Sequence, residues 1–144
     1  MPSPGRVKDV TFLVARRFFR PSTLPGATKV LVHGIHAVAW AALRTTTPTA
    51  AMRAVVRVSR VAPRFDDARV EAAFAELEGI GTCLSQCLAV APFVDDVAIV
   101  IGVTPLSGTD LDAHAWLERG GAVVPGTVRR GGVLARIPWV RDPG

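Results

Sequence analysis

The chain has 144 residues, of which 49% are hydrophobic and 20% charged, and its formal net charge is +5 at pH 7. This length predicts a single domain over residues 1–144, and the apolar content excludes a disordered chain. Two cysteines are too few for a disulfide scaffold, and the uncharged apolar run from Val30 to Leu43 is shorter than the roughly 20 residues that span a bilayer.

Periodic apolar residues predict four helices in the first eighty positions. The first ends before Pro21, and the second covers Lys29 to Leu43. Thr47 as a cap and Pro48 at the first helical position begin a third helix, which runs to about Val61. The stripe of the first helix consists of Val7, Val10, Leu13, Val14 and Phe18.

The fourth helix begins at Asp66 or Asp67, either of which can serve as its cap. It ends at Gly79 and Gly81, because glycine readily adopts the left-handed conformation that terminates helices. Its apolar stripe consists of Val70, Ala73, Phe74 and Leu77.

The second half of the chain changes from helix to strand. The β-branched run from Val97 to Val103 predicts a buried strand, and LSGTD predicts a loop. A second strand, Ala113 to Glu118, turns through Gly120-Gly121 into a third at Ala122 to Val124. Val133 to Ile137 is either a fourth strand or a tail along the sheet. The predicted class is therefore α+β, with helices over 1–80 followed by a small antiparallel sheet within 81–144.

Charge divides unevenly between the two halves. Up to Arg64 there are eleven basic residues and one acid, and from Phe65 onward six basic and eleven acidic, which together give the 17 and 12 of the whole chain. The basic half is either a solvated arginine-rich surface or a site that docks an acidic peptide, a protein partner or anionic lipid. The sequence has no nucleic-acid-binding motif, so we expect no nucleic acid partner.

The stretch GTCLSQCLAV, residues 81–90, lies at the junction of the two halves. Thr82 can cap a helix that starts at Cys83. A thiol in the first turn of a helix faces unpaired N–H groups and the positive end of the dipole, which favour the thiolate. Cys83 is therefore the candidate nucleophile. Cys87, one turn further along, is expected to be a small core residue, since this spacing is poor for a disulfide.

A thiolate is most effective beside a histidine that shares its proton and then protonates the leaving group. His114, at the start of a strand in DAHAWLERGG, is the candidate. Alternation along the strand places His114, Trp116 and Glu118 on one face. A cysteine on a helix facing a histidine on a strand is the arrangement of papain-like and transglutaminase-like sites. The alternative is that Cys83 and His114 are ordinary core residues.

A metal site is the rival interpretation, because the chain also offers His33, His36 and Cys87 as ligands beside Cys83 and His114. However, Cys-x3-Cys and His-x2-His differ from the usual zinc-loop spacings. The two first histidines also lie in an apolar helix. We therefore expect no metal and no other cofactor.

Three motifs carry a resemblance to a known family. They are Cys83-Leu84 near a helix start, Ile101-Gly102-Val103 in a strand, and His114-Ala115-Trp116-Leu117-Glu118 before a glycine turn. In this order the motifs resemble the C-terminal, transglutaminase-like peptidase half of the lasso-peptide B proteins, which also occurs as a free-standing protein. The similarity covers about residues 81–125.

The resemblance implies a cysteine peptidase with a transglutaminase-like or papain-like core, which removes the leader peptide from a ribosomally made precursor. Cys83 would attack the scissile carbonyl, His114 would act as general base and then acid, and N–H groups at the helix start would hold the oxyanion. The implied partners are the precursor leader, a separate leader-recognition protein and an asparagine-synthetase-like cyclase. The opening MPSPGRVKDV lacks a secretory signal pattern, so we expect a cytoplasmic protein.

The chain departs from the family pattern at the third catalytic position. The family has an acid about twelve residues after the histidine, where this chain has Gly126. Asp112 and Asp110 are the candidate replacements, and Glu118 is a further one. Loss of the orienting acid costs a serine triad up to roughly ten-thousand-fold, so weak activity and a gain in rate for Gly126→Asp are expected.

A second departure is the stretch APFVDD, which follows the cysteine helix where the family has a longer helix. The sequence therefore predicts a leader-removing cysteine peptidase. The alternative, from another class, is a catalytically silent binding or scaffold protein on the same fold. The missing acid favours that alternative, whereas the intact cysteine and histidine favour the enzyme.

Overall fold

The computed structural model describes residues 24–140, so the first predicted helix and residues 141–144 lie outside the described part. Within it, helices are followed by a four-stranded antiparallel sheet, which confirms the predicted α+β class. The helices are α1 (Gly26–Thr45), α2 (Pro48–Val58), α3 (Asp67–Leu77) and α4 (Cys83–Val90), and a 3-10 turn (Ala91–Phe93) leads to the sheet. The strands are β1 (Val97–Pro105), β2 (Leu111–Arg119), β3 (Ala122–Val123) and β4 (Gly132–Pro138).

Side-chain caps begin the helices where the sequence predicted them. Thr47 Oγ1 accepts a hydrogen bond from the Ala50 N–H at 3.2 Å at the start of α2. Asp66 Oδ1 accepts one from the Arg69 N–H at 2.9 Å at the start of α3. Each cap satisfies an N–H that has no partner within its helix, which contributes about 0.5–2 kcal/mol.

Helix α2 is shorter than predicted, because it ends at Val58 rather than at about Val61. The hydroxyl of Ser59 donates to the Val55 carbonyl at 2.6 Å, a local bond that competes with continued helix. Val61 is 85% exposed, so burial of its side chain contributes little to holding another turn. Tertiary packing, and not the continuing apolar sequence, decides where this helix stops.

The strand order is β3-β2-β1-β4, which places β1 between β2 and β4. Residues 133–137, which the sequence left open, form a strand paired with β1. The register of β1 with β2 sets Gly102 opposite His114 and Val100 opposite Trp116. Strand β3 pairs with only the last two residues of β2. The Leu117 carbonyl accepts from the Val124 N–H and the Leu117 N–H donates to Thr127 Oγ1, so the open edge of β2 lies before Leu117.

Helix α4 lies at the centre of the packing and contacts α1, α3 and β2. Its inner residues Cys87, Leu88 and Val90 are fully buried together with Ile99 and Leu117 of the sheet. Full burial of one such aliphatic side chain contributes about 1.5–3 kcal/mol. The helix that begins at the candidate nucleophile is therefore held by the core on several sides.

Helix α1, with 20 residues, is the longest element of the part that the structure describes. Its buried side is formed by Val32, Ile35, His36 and Ala39, whereas Val30 and Trp40 are exposed. Among the helices of residues 24–140, not one combines the length and the apolar character required to cross a membrane.

Candidate active site

The first turn of α4 forms around Thr82 and Ser85. Thr82 Oγ1 accepts a hydrogen bond from the Ser85 N–H at 3.2 Å, and Ser85 Oγ accepts one from the Thr82 N–H at 2.9 Å. This reciprocal pair is a capping box in which serine takes the place of the more usual Glu or Gln. Cys83 is the first residue of the helix, as predicted, so its sulfur lies near the positive end of the dipole.

The sulfur of Cys83 also has a partner outside its own helix. The backbone N–H of Ala115 in β2 donates to Cys83 Sγ at 3.3 Å. This contact is possible because β3 pairs with Glu118 and Arg119 and does not reach Ala115. An N–H donor next to sulfur stabilises the thiolate. Since a backbone group carries no sequence signal, sequence reasoning could not have found this partner.

Cys83 and His114 line the same cavity, which has a volume of about 160 Å³. Both residues are half-buried. The wall also includes Gln86, Thr127 and Arg130. Within residues 24–140 no hydrogen bond joins the sulfur to the imidazole. In enzymes without substrate such bonds are often long and tighten only when substrate binds, so the shared cavity is the relevant geometry.

The two predicted orienting acids lie along the chain before His114. Asp112 is half-buried on β2 opposite Thr104. Asp110 is exposed in the preceding loop, where its carbonyl accepts a hydrogen bond from the Leu106 N–H. In the described part of the chain, neither carboxylate forms a hydrogen bond or ion pair with the imidazole. The structure thus brings the cysteine and histidine together without either acid, whose role stays a prediction.

Gly126 lies on the wall of the same cavity, but its backbone does not suit a replacement acid. Its φ is +89°, a left-handed value that favours glycine. A Cβ at this position would lie 2.8 Å from Phe74 Cδ2 and 3.2 Å from Glu71 Cα. A side chain here would therefore collide with α3 unless the helix shifted.

A family model described as the transglutaminase-like superfamily matches residues 10–137. The chain belongs to the transglutaminase-like superfamily. Members of this superfamily include cysteine peptidases. No curated protein and no solved structure matches the chain.

In this transglutaminase-like domain, Glu118 supports Trp116 rather than His114. Trp116 Nε1 donates to Glu118 Oε1 at 3.0 Å, and Arg136 Nε donates to Oε2 at 3.2 Å. The bond from Trp116, followed by the bond and charge of Arg136, lowers the pKa of Glu118 below its ordinary value. The Trp116 ring lies beside the imidazole, with 6.3 Å between ring centroids. Glu118 thus fixes the surface on which His114 rests.

The surroundings of Gly102 explain why the strand motif of this domain contains glycine. A Cβ there would lie 2.5 Å from Trp116 Cζ3 and 2.5 Å from the Arg130 carbonyl oxygen. The absence of a side chain therefore makes room for the indole and for the chain that crosses it.

Cys87 is the core residue that the sequence predicted. It is 1% exposed, and burial, followed by the charge of Cys83, raises the pKa of its thiol. Both cysteines are free thiols, so no disulfide joins them. Of the two, only Cys83 is accessible to a reagent or substrate.

The residues considered as metal ligands are held by other partners. His36 Nε2 lies 3.0 Å from Ser85 Oγ, and His33 Nε2 lies 3.4 Å from Glu76 Oε1. Glu76 also forms an ion pair with Lys29 at 3.2 Å. Across residues 24–140, no group of three or more His, Cys, Asp or Glu is arranged to hold a metal ion.

Proposed function

We propose that this chain is a cysteine peptidase that removes the leader from a ribosomally made lasso-peptide precursor. The observation that carries the proposal is the joint placement of Cys83, at the start of a capped helix, and His114 on one cavity. Membership of a superfamily that includes cysteine peptidases supports the reaction class. The resemblance of residues 81–125 to the lasso-peptide B proteins supports the choice of substrate.

In the proposed first step, the Cys83 thiolate attacks the carbonyl carbon of the scissile peptide bond. The C–N bond breaks as the His114 imidazolium gives its proton to the leaving amine, which leaves a thioester between Cys83 and the leader. In the second step, neutral His114 takes a proton from water, whose oxygen attacks the thioester carbonyl. The thiolate then leaves, and the leader is released as a carboxylate.

Stabilisation of the oxyanion falls to the backbone at the start of α4. The first N–H groups of a helix have no partners inside it and point along its axis, towards developing negative charge. The capping box fixes this turn before substrate arrives, so little reorganisation accompanies the reaction. The Ala115 N–H then holds the attacking sulfur on the β2 side.

The proposed partners are the precursor leader, a separate leader-recognition protein and an asparagine-synthetase-like cyclase that closes the ring after cleavage. The small cavity supports the need for help with recognition, since its volume of about 160 Å³ is well below the roughly 300–1,000 Å³ of ordinary ligand pockets. We place the action in the cytoplasm, where reducing conditions keep the Cys83 thiol free.

The test of this function is cleavage of the precursor in the presence of the recognition protein, followed by mass spectrometry of both products. Cys83→Ala and His114→Ala are each expected to abolish cleavage, since the first removes the nucleophile and the second its proton carrier. Cys87→Ala is the matched control, because it removes a buried thiol from the same helix. Cleavage by Cys83→Ala at the rate of the wild-type protein would contradict the proposal.

A second candidate function is that of a catalytically silent scaffold on the same fold. The observation in its favour is that the His114 ring has no carboxylate partner among residues 24–140. The same experiment separates the two functions. If the wild-type protein binds the precursor and the recognition protein but releases no leader, its function is that of a scaffold.

A further inference from the structure

A buried polar link lies behind the turn that carries Cys83, and the proposed chemistry does not use it. His36 of α1 is 4% exposed and Ser85 of α4 is 0% exposed. His36 Nε2 lies 3.0 Å from Ser85 Oγ. Burying two polar groups is costly unless their hydrogen bonds are satisfied, so a link at this place indicates a role.

One arrangement of protons satisfies every bond of the link. Burial, followed by the charge of His33, lowers the pKa of His36 to about 4, so the imidazole is neutral at pH 7. The tautomer with its proton on Nε2 donates to Ser85 Oγ. The Ser85 hydroxyl then donates to the Thr82 carbonyl at 2.9 Å and accepts from the Thr82 N–H at 2.9 Å. Ser85 thereby joins α1 to both backbone groups of the residue before Cys83.

The turn is pressed so closely against the imidazole that only glycine fits beside it. A Cβ at Gly81 would lie 2.5 Å from Ser85 Oγ and 2.7 Å from His36 Nε2. On its other side, the turn meets β2 through the 3.3 Å bond from the Ala115 N–H to Cys83 Sγ. The nucleophile turn is therefore held between a side chain of α1 and the backbone of the sheet.

We propose that His36 is a positioning residue that acts through Ser85 to fix the first turn of α4 around the sulfur of Cys83. The inference rests on the proposed role of Cys83 as nucleophile. His36 faces His33 on its own helix and Ser85 on α4, whereas Glu76 of α3 is engaged with His33 and Lys29.

The expected consequence follows from what a loosened turn does to a thiolate. Without the link, the N–H groups of the first turn no longer stay aligned on Sγ, so the thiolate loses part of its stabilisation. Alkylation of Cys83 at pH 7 should slow by about two- to tenfold. The two rates should converge as the pH rises further, because ionisation of the thiol then no longer depends on the turn.

The experiment follows alkylation of the full chain by iodoacetamide as a function of pH, with mass spectrometry of the peptide that contains Cys83. His36→Met removes the hydrogen-bonding group at similar size and should move the rate profile to higher pH. His36→Gln returns an N–H near the place of Nε2 and should restore most of the profile. His33→Met is the matched control one turn earlier on α1, and its profile should coincide with that of the normal protein.

Ser85→Ala provides a second route to the same loss, without a change in α1, and should shift the profile in the same direction. A purely structural role would lower the thermal unfolding midpoint of these variants but leave the Cys83 profile unmoved. A His36→Met profile that coincides with that of the wild-type protein would overturn the inference whatever Ser85→Ala does, because Ser85 also closes the capping box. Shifted profiles in a protein that cleaves no leader would support the inference and count against the proposed function alone.

Discussion

The two sulfurs of this chain lie in opposite surroundings, although they are four residues apart in one helix. Cys83 is half-buried at the capped start of α4 and accepts the Ala115 N–H. Cys87 is 1% exposed, and burial raises the pKa of its thiol. We expect iodoacetamide at neutral pH to label Cys83 at least about tenfold faster than Cys87, as measured by peptide mass spectrometry. Equal labelling of both residues would remove Cys83 as the reactive thiol.

Position 126 shows how a local backbone limits what a site can accept. The sequence led to the expectation that Gly126→Asp would raise the rate, but the structure gives a different expectation. The left-handed φ and the contact with Phe74 make any side chain here strained. Gly126→Asp should lower the free energy of unfolding by about 1–3 kcal/mol and bring no gain in cleavage.

Gly126→Ala is the control for that prediction, because it introduces the same Cβ without a carboxylate. Urea unfolding of both variants measures the cost, and the two should lose similar stability. A faster Gly126→Asp enzyme with normal stability would show instead that α3 gives way and that the acid reaches the imidazole.

Among the elements, α1 contributes an imidazole to a neighbouring helix, and this makes stability depend on pH. The pKa of His36 is lowered from its ordinary value of 6.5 to about 4 in the folded protein. Between these values the unfolded chain binds the proton and the folded chain does not. The free energy of unfolding should therefore fall as the pH decreases from about 6.5 to about 4.

His36→Gln is expected to flatten this part of the profile, since glutamine does not titrate. Urea unfolding at several pH values between about 7.5 and 5 measures the slope. The pKa of Glu118 is lowered, so its contribution to the free energy of unfolding is lost only below this pH range. The slope between about 7.5 and 5 therefore does not contain the effect of Glu118. An unchanged slope in His36→Gln would mean that other groups dominate in this range.

The elements that the sequence predicted best are those whose signals are local. Thr47 and Asp66 cap helices within three residues of their partners, and the β-branched run of β1 needs no knowledge of its neighbours. The contacts that complete the site are of another kind. The Ala115–Cys83 bond joins residues 32 apart in sequence, and the His36–Ser85 bond joins residues 49 apart. Such contacts depend on how helices pack on the sheet, which periodicity does not encode.

The candidate site shows the same division. The sequence identified Cys83 and His114 from a capped helix start and from strand alternation, and the structure places both on one cavity. It did not reveal that Ser85 closes the cap, although serine three residues after threonine is a weak signal of that kind. Nor could it show that Phe74 fills the space beside Gly126, because the two come from separate elements.

Over the whole molecule, the basic half identified from the sequence is not uniformly free to bind a partner. Lys29 is paired with Glu76, and Arg64 lies 2.6 Å from Asp95, so both are tied to acids of the second half. Arg53 and Arg57 are exposed one turn apart on α2. Within residues 24–140, these two arginines form an exposed basic pair that can meet an acidic segment.

Binding of a labelled glutamate-rich peptide should therefore weaken as salt rises from about 50 mM to about 300 mM, because exposed charges are screened over roughly 10 Å or less. Fluorescence anisotropy measures the affinity. The double variant Arg53→Gln/Arg57→Gln should bind more weakly and with less salt dependence, whereas Arg119→Gln, which lies outside the basic half, should bind normally. An affinity that does not change with salt concentration would indicate that the basic face is only a solvated surface.

Residues 124–131 pack against elements that are synthesised much earlier than they are. Gly126 lies against Phe74 of α3, and the Arg130 carbonyl approaches Gly102 of β1. A nascent chain that stops before Gly126 already contains the thiol and the imidazole, but it lacks the residues that close their cavity on this side. The cavity around Cys83 is thus completed only after residue 130 has been synthesised, so a nascent chain that stops earlier lacks part of the wall around the thiol.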